Sequence, residues 1–253
     1  MQFKDTALIL AGHGSTKNAE SSRSTRITAH RIRERGIFGE VRAAFWKEQP
    51  SYTDALRGLK SEKAVVVPWF LANGYFTRQV LTREFAKTPG ISCRVTDPIG
   101  MSPEILGHLK IRAARLLEEK KWSPSEVSLL VASHGTPLHR GSRAAASELA
   151  EKLAHDGYQT ARAVFLEEEP RISDWRKVAG TGPVVVLPHF LSGGLHGSED
   201  VPGLLGIGGS EEGWYKFEDT EIGYGKTLGS PDEMEELIID LALRACDVAG
   251  LSK

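Results

Sequence analysis

The sequence predicts an α/β protein of two tandem domains, each a small parallel sheet flanked by helices. Two segments occur twice, and the four copies are Ala7–Gly14, Ser128–Gly135, Ala64–Gly74 and Val184–Gly194. The paired copies are offset by 121 and by 120 residues. Because a period of this length is the size of an independent folding unit, we infer an internal duplication, with domains 1–121 and 122–253.

Both halves alternate short apolar runs with helical segments in the same order, which is typical of a parallel sheet. The predicted strands are 6–11, 41–46, 65–67, 92–96, 127–132, 161–166, 184–187 and 221–224. The predicted helices are 19–35, 103–120, 142–154 and 231–248. The segment 203–225 has no copy in the first half, and its glycines predict a mobile loop. A lid over a bound ligand and an ordered surface excursion both remain open for this segment.

Composition narrows the class of protein. The chain has 253 residues, of which 40% are hydrophobic and 26% charged, which is enough apolar material for two cores. A formal net charge of −1 argues against nucleic-acid binding. Neither a membrane span nor a signal peptide is indicated, so we expect a cytoplasmic monomer or homodimer with no membrane partner. Two cysteines without CxxC spacing predict neither a disulfide framework nor a thiolate zinc site. No nucleotide-binding motif is present, so we expect no organic cofactor.

Candidate ligands follow three strands of the second half. His134 and His196 come after two of these strands, and Glu167 comes after the third. The carboxyl ends of parallel strands meet at one edge of the sheet, where ligands bind. Two imidazoles and one carboxylate suit a divalent first-row metal. Because residues 167–169 are all glutamates, spacing alone leaves Glu168 as an alternative ligand.

These motifs resemble the CbiX family of class II chelatases. The resemblance rests on the Ser-His-Gly turn at His134, the Phe-Leu-Glu segment that ends at Pro170, and the run from Pro188 to Pro202. It implies two tandem chelatase-like, flavodoxin-like domains. It also implies insertion of Co²⁺ into sirohydrochlorin for cobalamin biosynthesis, with the tetrapyrrole in the cleft between the domains. By the same resemblance His134, His196 and Glu167 are the metal-handling and catalytic residues, with Glu168 as the alternative.

The first half departs from the family pattern. Phe76 stands where the repeat places His196, and Lys47 stands where it places Glu167. We therefore interpret this half as a degenerate site that forms a substrate wall. The tetrapyrrole carries carboxylates, which arginine binds well. The predicted substrate-binding residues are His13, Tyr75, Arg78, Arg140 and Arg143.

Three alternatives remain at this stage. The metal is a substrate, and Fe²⁺ and Ni²⁺ compete with Co²⁺ because ligand type alone does not separate them. The activity is either cobaltochelatase or sirohydrochlorin ferrochelatase for siroheme. A non-catalytic tetrapyrrole-binding or metal-binding protein would use the same histidine pair. A histidine phosphatase is disfavoured, because its motif needs an arginine before the histidine, where Gly12 and Ser133 stand.

Overall fold

The computed structural model describes residues 3–16, 20–87, 90–136, 140–191 and 196–248, and it does not describe the side chains of residues 20, 140, 196, 198 and 248. The described chain divides into two compact units. The first unit combines Met1–Ser102 with Gly229–Lys253, and the second is Pro103–Leu228. Among the described residues no helix is long and apolar enough to cross a membrane.

The first unit is a four-stranded parallel sheet with the strand order β2-β1-β3-β4. Its elements are β1 (Phe3–Gly12), α1 (Glu20–Arg35), β2 (Phe38–Phe45), α2 (Tyr52–Leu56), β3 (Lys63–Pro68), a π-helix (Phe76–Leu81), α3 (Thr82–Phe85) and β4 (Ser92–Val95). The central strands β1 and β3 are almost continuously apolar and buried, as expected of strands that are covered on both faces. Ile9 and Val66 pack against Leu81 and Phe85 in the core of this unit.

The second unit repeats this arrangement and adds one strand. Its elements are α4 (Glu104–Lys120), β5 (Ser128–Ser133), α5 (Arg140–Ala154), β6 (Thr160–Phe165), α6 (Trp175–Ala179), β7 (Val184–Pro188), a π-helix (His196–Asp200), α7 (Val201–Leu205), β8 (Gly213–Phe217) and β9 (Thr220–Tyr224). The strand order is β6-β5-β7-β9-β8, and only β8 is antiparallel to its neighbour. The predicted α/β fold with two parallel sheets is confirmed.

The compact units differ from the predicted halves 1–121 and 122–253. The last helix of each half belongs to the unit of the other half: α4 to the second, and α8 (Pro231–Val248) to the first. In the first unit, Arg35 of α1 pairs with Glu235 and Glu236 of α8 at 2.8 and 2.7 Å. In the second unit, the buried Arg112 of α4 donates a hydrogen bond to the carbonyl of Lys226 at 3.1 Å. The sequence repeat and the units in space therefore have different boundaries.

Residues 213–217 and 220–224 of the segment 203–225 form two strands, where the glycines predicted a loop. Its β8–β9 hairpin extends the sheet, and β9 pairs with the central strand β7. The Trp214 ring meets Trp122 edge-on at 4.9 Å between centroids. A Cβ at Gly206 would lie only 2.2 Å from the Phe217 ring, so glycine here permits close packing. The hairpin packs within its own unit, which favours the ordered surface excursion over the lid.

Candidate functional site

The candidate site lies at the carboxyl edge of the second sheet. His134 directly follows β5, and Glu167 comes two residues after β6. The two loops are held together by a hydrogen bond from the Glu167 amide to the His134 carbonyl at 3.2 Å. Gly135 adopts φ +63°, and a Cβ there would lie 2.8 Å from the Glu168 side chain. Glycine therefore allows the two strand ends to approach each other.

A cavity of about 490 Å³ opens at this edge. It is lined by His134, Leu166, Glu167, Glu199, Asp200, Gly203 and Leu204. Three carboxylates thus face the same space as one imidazole. Two leucines give the cavity an apolar side, and Leu204 is 41% exposed. The cavity therefore combines clustered negative charge with an apolar surface.

Hydrogen bonding fixes the tautomer of His134. Its Nδ1 lies 2.7 Å from the carbonyl oxygen of Gly135. Because a carbonyl only accepts hydrogen bonds, Nδ1 must carry the proton, which leaves Nε2 with a lone pair for a metal or a proton. A carboxylate oxygen of Glu167 lies 3.8 Å from the same Nδ1. Nε2 is therefore the ring nitrogen that is available to a ligand, while Nδ1 is held on the side of the Glu167 carboxylate.

The three consecutive glutamates have different environments. Glu167 lies in the cavity with its side chain 53% exposed. Glu168 instead points to the loop backbone, where it accepts the amide hydrogen bond of Thr136 at 3.0 Å and pairs with Arg143 at 3.1 Å. Glu169 pairs with Arg171 at 3.3 Å and is 75% exposed. Of the three, only Glu167 lines the cavity.

The first unit has a loop anchor of the same kind as Glu168, namely a glutamate that accepts a backbone amide hydrogen bond and pairs with an arginine. Glu48 accepts the amide hydrogen bond of Ser15 at 2.6 Å and pairs with Arg26 at 3.2 Å. Partial burial alone would raise the pKa of Glu48, but hydrogen bonds from Ser22, Ser15, Arg26 and Ser21 together hold this pKa below its usual value. Because the same anchor occurs in both units, we assign Glu48 and Glu168 to loop structure.

The carboxyl edge of the first sheet differs from that of the second in the side chains that it carries. We name this edge the first-unit rim (His13, Trp46, Lys47, Tyr75 and Phe76). The Phe76 ring lies 5.6 Å from the rings of His13 and Trp46. Trp46 is 38% exposed and Tyr75 is 55% exposed. Lys47 donates its amide hydrogen bond to the His13 carbonyl at 2.8 Å, as Glu167 does to His134. At the edge that corresponds to the carboxylate cavity of the second unit, the first unit therefore has aromatic rings and the cation of Lys47.

Four other predicted site residues remain, and the side chains of two of them lie outside the described part of the chain. His196 begins a π-helix, but its side chain lies outside the described part, as does that of Arg140. Arg143 is engaged by Glu168 and by the Glu169 carbonyl at 2.7 Å, so its substrate role stays a prediction. Arg78 lines another cavity, in the first unit. Within the described ranges, no three His, Cys, Asp or Glu residues come close enough to hold a metal ion.

The sequence prediction did not include two cavity residues, Glu199 and Asp200. They lie three and four residues after His196 on the same helical segment. Their acidic side chains so close after His196 are the signal that sequence reasoning could have used. The first unit has Gln79 and Val80 at the corresponding positions. The carboxylates are therefore confined to one copy of the repeat.

The tandem fold and this cavity place the chain among chelatase-like α/β proteins. The family model CbiX matches residues 7–116 and 128–245, so the chain belongs to the CbiX family. A protein of Halobacterium salinarum named "Probable sirohydrochlorin cobaltochelatase" is 33% identical over 220 residues, which cover 78% of this chain and 75% of that protein.

Two solved structures have similar folds. A multi-domain protein of Deinococcus radiodurans, described as structurally similar to chelatases, has a TM-score of 0.71 and 25% identity over 94% of this chain. The match covers 54% of that protein, so this chain spans about half of its length. CbiX, described as the terminal enzyme of siroheme biosynthesis in denitrifying bacteria, has a TM-score of 0.69 and 24% identity, with 93% of this chain and 98% of that one covered.

Proposed function

We propose that the chain inserts a divalent metal ion, preferably Co²⁺, into sirohydrochlorin in the formation of cobalamin. The observation that carries this proposal is the cavity at the carboxyl edge of the second sheet, where His134 faces three carboxylates. The name of the Halobacterium relative supports both the macrocycle and the metal. The aromatic surface of the first-unit rim supports a large planar substrate.

In the first proposed step, protein ligands replace the water molecules that are bound to the metal ion. In the proposed arrangement Nε2 of His134, the imidazole of His196 and the carboxylate of Glu167 take the metal from water. Imidazole and carboxylate are both good ligands of divalent first-row metals. Glu199 and Asp200 add negative charge at the same cavity, which raises the local concentration of the cation.

The second task is proton removal, because two pyrrolic N–H protons leave the ring as the metal enters it. Once the metal has passed from His134 Nε2 to the ring nitrogens, the freed Nε2 is the proposed acceptor of the first proton, since Nδ1 already carries its own. The Glu167 carboxylate lies 3.8 Å from Nδ1 and is the proposed counter-charge of the imidazolium that then forms. A carboxylate of the cavity is the proposed acceptor of the second proton, and both protons then pass to water, so charge balances without an organic cofactor.

The first-unit rim is the proposed wall for the macrocycle. Trp46 and Tyr75 present exposed rings to a flat conjugated ligand, and offset stacking with such a ligand is favourable. Lys47 and Arg78 are the proposed partners of peripheral carboxylates, and Arg140 has the same proposed role in the second unit. His13 has the same Nδ1 to carbonyl contact as His134, at 2.9 Å, but lacks a neighbouring carboxylate at position 47.

Turnover under catalytic excess distinguishes the alternatives. Purified protein is mixed with a hundredfold excess of sirohydrochlorin and metal, and the absorbance of the macrocycle is followed against a protein-free control. Many turnovers support the chelatase, whereas a change equal to the protein concentration supports a carrier. Parallel reactions with Co²⁺, Fe²⁺ and Ni²⁺ rank the metals. A higher kcat/KM for Fe²⁺ than for Co²⁺ would favour the ferrochelatase alternative.

A further inference from the structure

The first unit contains a separate cavity of about 420 Å³ at the end of β4. Three arginines from three different elements line it: Arg78 of the π-helix, Arg94 of β4 and Arg244 of α8. The other polar lining residues are Asn73, Thr77, Thr82, Thr96 and Asp97. A space surrounded by guanidinium, hydroxyl and amide groups has the composition of an anion site.

The charge of this cavity is not balanced by its own lining. Asp97 is the one carboxylate among the described lining residues, and it accepts a hydrogen bond from the Asn73 amide at 3.2 Å. Within the described chain, the side chains of Arg78 and Arg94 form no hydrogen bond or ion pair. The guanidinium groups of Arg78 and Arg94 repel each other, and an oxyanion bound between them removes that repulsion.

In the second unit, the side chain of Trp214 fills the place that corresponds to this cavity. Val65 of β3 pairs with Arg94, and Val185, its counterpart in β7, pairs with Gly223. A Cβ on Gly223 would lie 3.0 Å from the ring of Trp214. The indole N–H of Trp214 also donates a hydrogen bond to the Leu116 carbonyl of α4 at 2.9 Å. The hairpin thus packs an indole between its strand and α4.

Among its described residues, the first unit has no such cover. Its sheet ends at β4, whereas the sheet of the second unit continues through β9 to β8. The fold is therefore compatible with closing this space by an apolar side chain, yet the first copy keeps it open and places three cations around it. This difference between two copies of one fold indicates a binding role for the cavity.

We propose that the cavity of Arg78, Arg94 and Arg244 binds an oxyanion, either a carboxylate or a phosphate group. One source is a carboxylate side chain of the tetrapyrrole, and this possibility rests on the proposed function. Arg78 supports that source because it lies two residues after Phe76 of the first-unit rim. The other source is a free anion in the solution, such as inorganic phosphate, and this possibility does not depend on chelatase activity.

The test measures the affinity of metal-free sirohydrochlorin and of inorganic phosphate by calorimetry, without any turnover. The variants are Arg94→Gln and Arg78→Gln, of which the second alters an exposed side chain and leaves packing intact. Arg162→Gln is the matched control, because Arg162 is an exposed arginine on the edge strand β6 of the other unit. Circular dichroism verifies that each variant is folded.

We expect each cavity variant to weaken binding of one probe by about tenfold, the size of one lost charge-assisted contact, and the control to remain within about twofold. Weaker sirohydrochlorin binding identifies a tetrapyrrole carboxylate as the ligand. Weaker phosphate binding with unchanged sirohydrochlorin binding identifies a free anion. If neither affinity changes in folded Arg78→Gln and Arg94→Gln proteins, or if the control loses as much, the anion site is refuted. Because turnover is not measured, this result is independent of whether the chain is a chelatase.

Discussion

Replacing Glu167 and Glu168 one at a time with alanine should distinguish the glutamate that is needed for catalysis from the one that stabilises the loops. Glu168→Ala removes the acceptor of the Thr136 amide and the partner of Arg143. A hydrogen bond to a charged group contributes about 1.5–3 kcal/mol, and the ion pair adds little because Arg143 is 46% exposed. We expect a loss of about 2 kcal/mol and a melting temperature lower by about 6 °C. Glu167→Ala, at a half-exposed position, should cost less than about 0.5 kcal/mol.

The two variants should have opposite effects on catalysis. Loss of Glu167 should lower kcat by about a hundredfold, the usual contribution of a group that assists proton transfer. Glu168→Ala should keep most of its activity at temperatures where it is folded. Glu48→Ala is the matched control, since it removes the same anchor from the first unit. Thermal melts and initial rates are measured on all three proteins. A stable Glu168→Ala protein with the larger loss of kcat would refute the assignment.

Four further outcomes are expected. His196→Ala should abolish most metal insertion and leave the melting temperature unchanged. Burial lowers the pKa of His189 to about 4, so this residue is neutral when folded and takes up a proton on unfolding below pH 6.5. Urea titrations should therefore show stability falling by up to about 3 kcal/mol between pH 6.5 and 4, and His189→Leu should remove this dependence. Trp214→Ala should cost about 2–3 kcal/mol and leave the KM for tetrapyrrole unchanged, whereas a lid would show the reverse. Trp46→Ala should raise that KM by about fivefold with kcat unchanged, and Trp46→Phe should restore it.

The strands were predictable because they depend on local sequence, and the repeat was predictable because its copies can be read directly from the chain. Apolar runs that end in glycine or proline fix the strands, and the duplication places His134 and Glu167 on adjacent strand ends. The choice of Glu167 over Glu168 was not predictable from spacing. It depends on which side chain the Thr136 amide and Arg143 hold, and that is a contact between two loops.

Sequence reasoning did not predict that α4 and α8 each pack with the other half of the chain, nor did it predict the β8–β9 hairpin, and both failures have physical reasons. Two amphipathic helices of similar length pack equally well on either of two similar sheets, so local pattern does not decide the partner of α4 or α8. The hairpin turns at Glu218 and Asp219, and Glu218 adopts φ +52° without the Asn-Gly or Asp-Gly pair that usually marks such a turn. Glycines around it then gave the segment the composition of a loop.

The central claim is that metal handling belongs to the second unit and not to its copy in the first. The most direct measurement compares initial rates of Co²⁺ insertion for His134→Ala and His13→Ala, two histidines at the same position of the repeat with the same Nδ1 to carbonyl contact. Because only His134 has a carboxylate at Nδ1 and an anionic cavity, we expect His134→Ala to lose about a hundredfold or more in rate. The rate of His13→Ala should stay within about threefold of the unmodified protein. Equal losses in two folded variants, or a larger loss at His13, would contradict the claim.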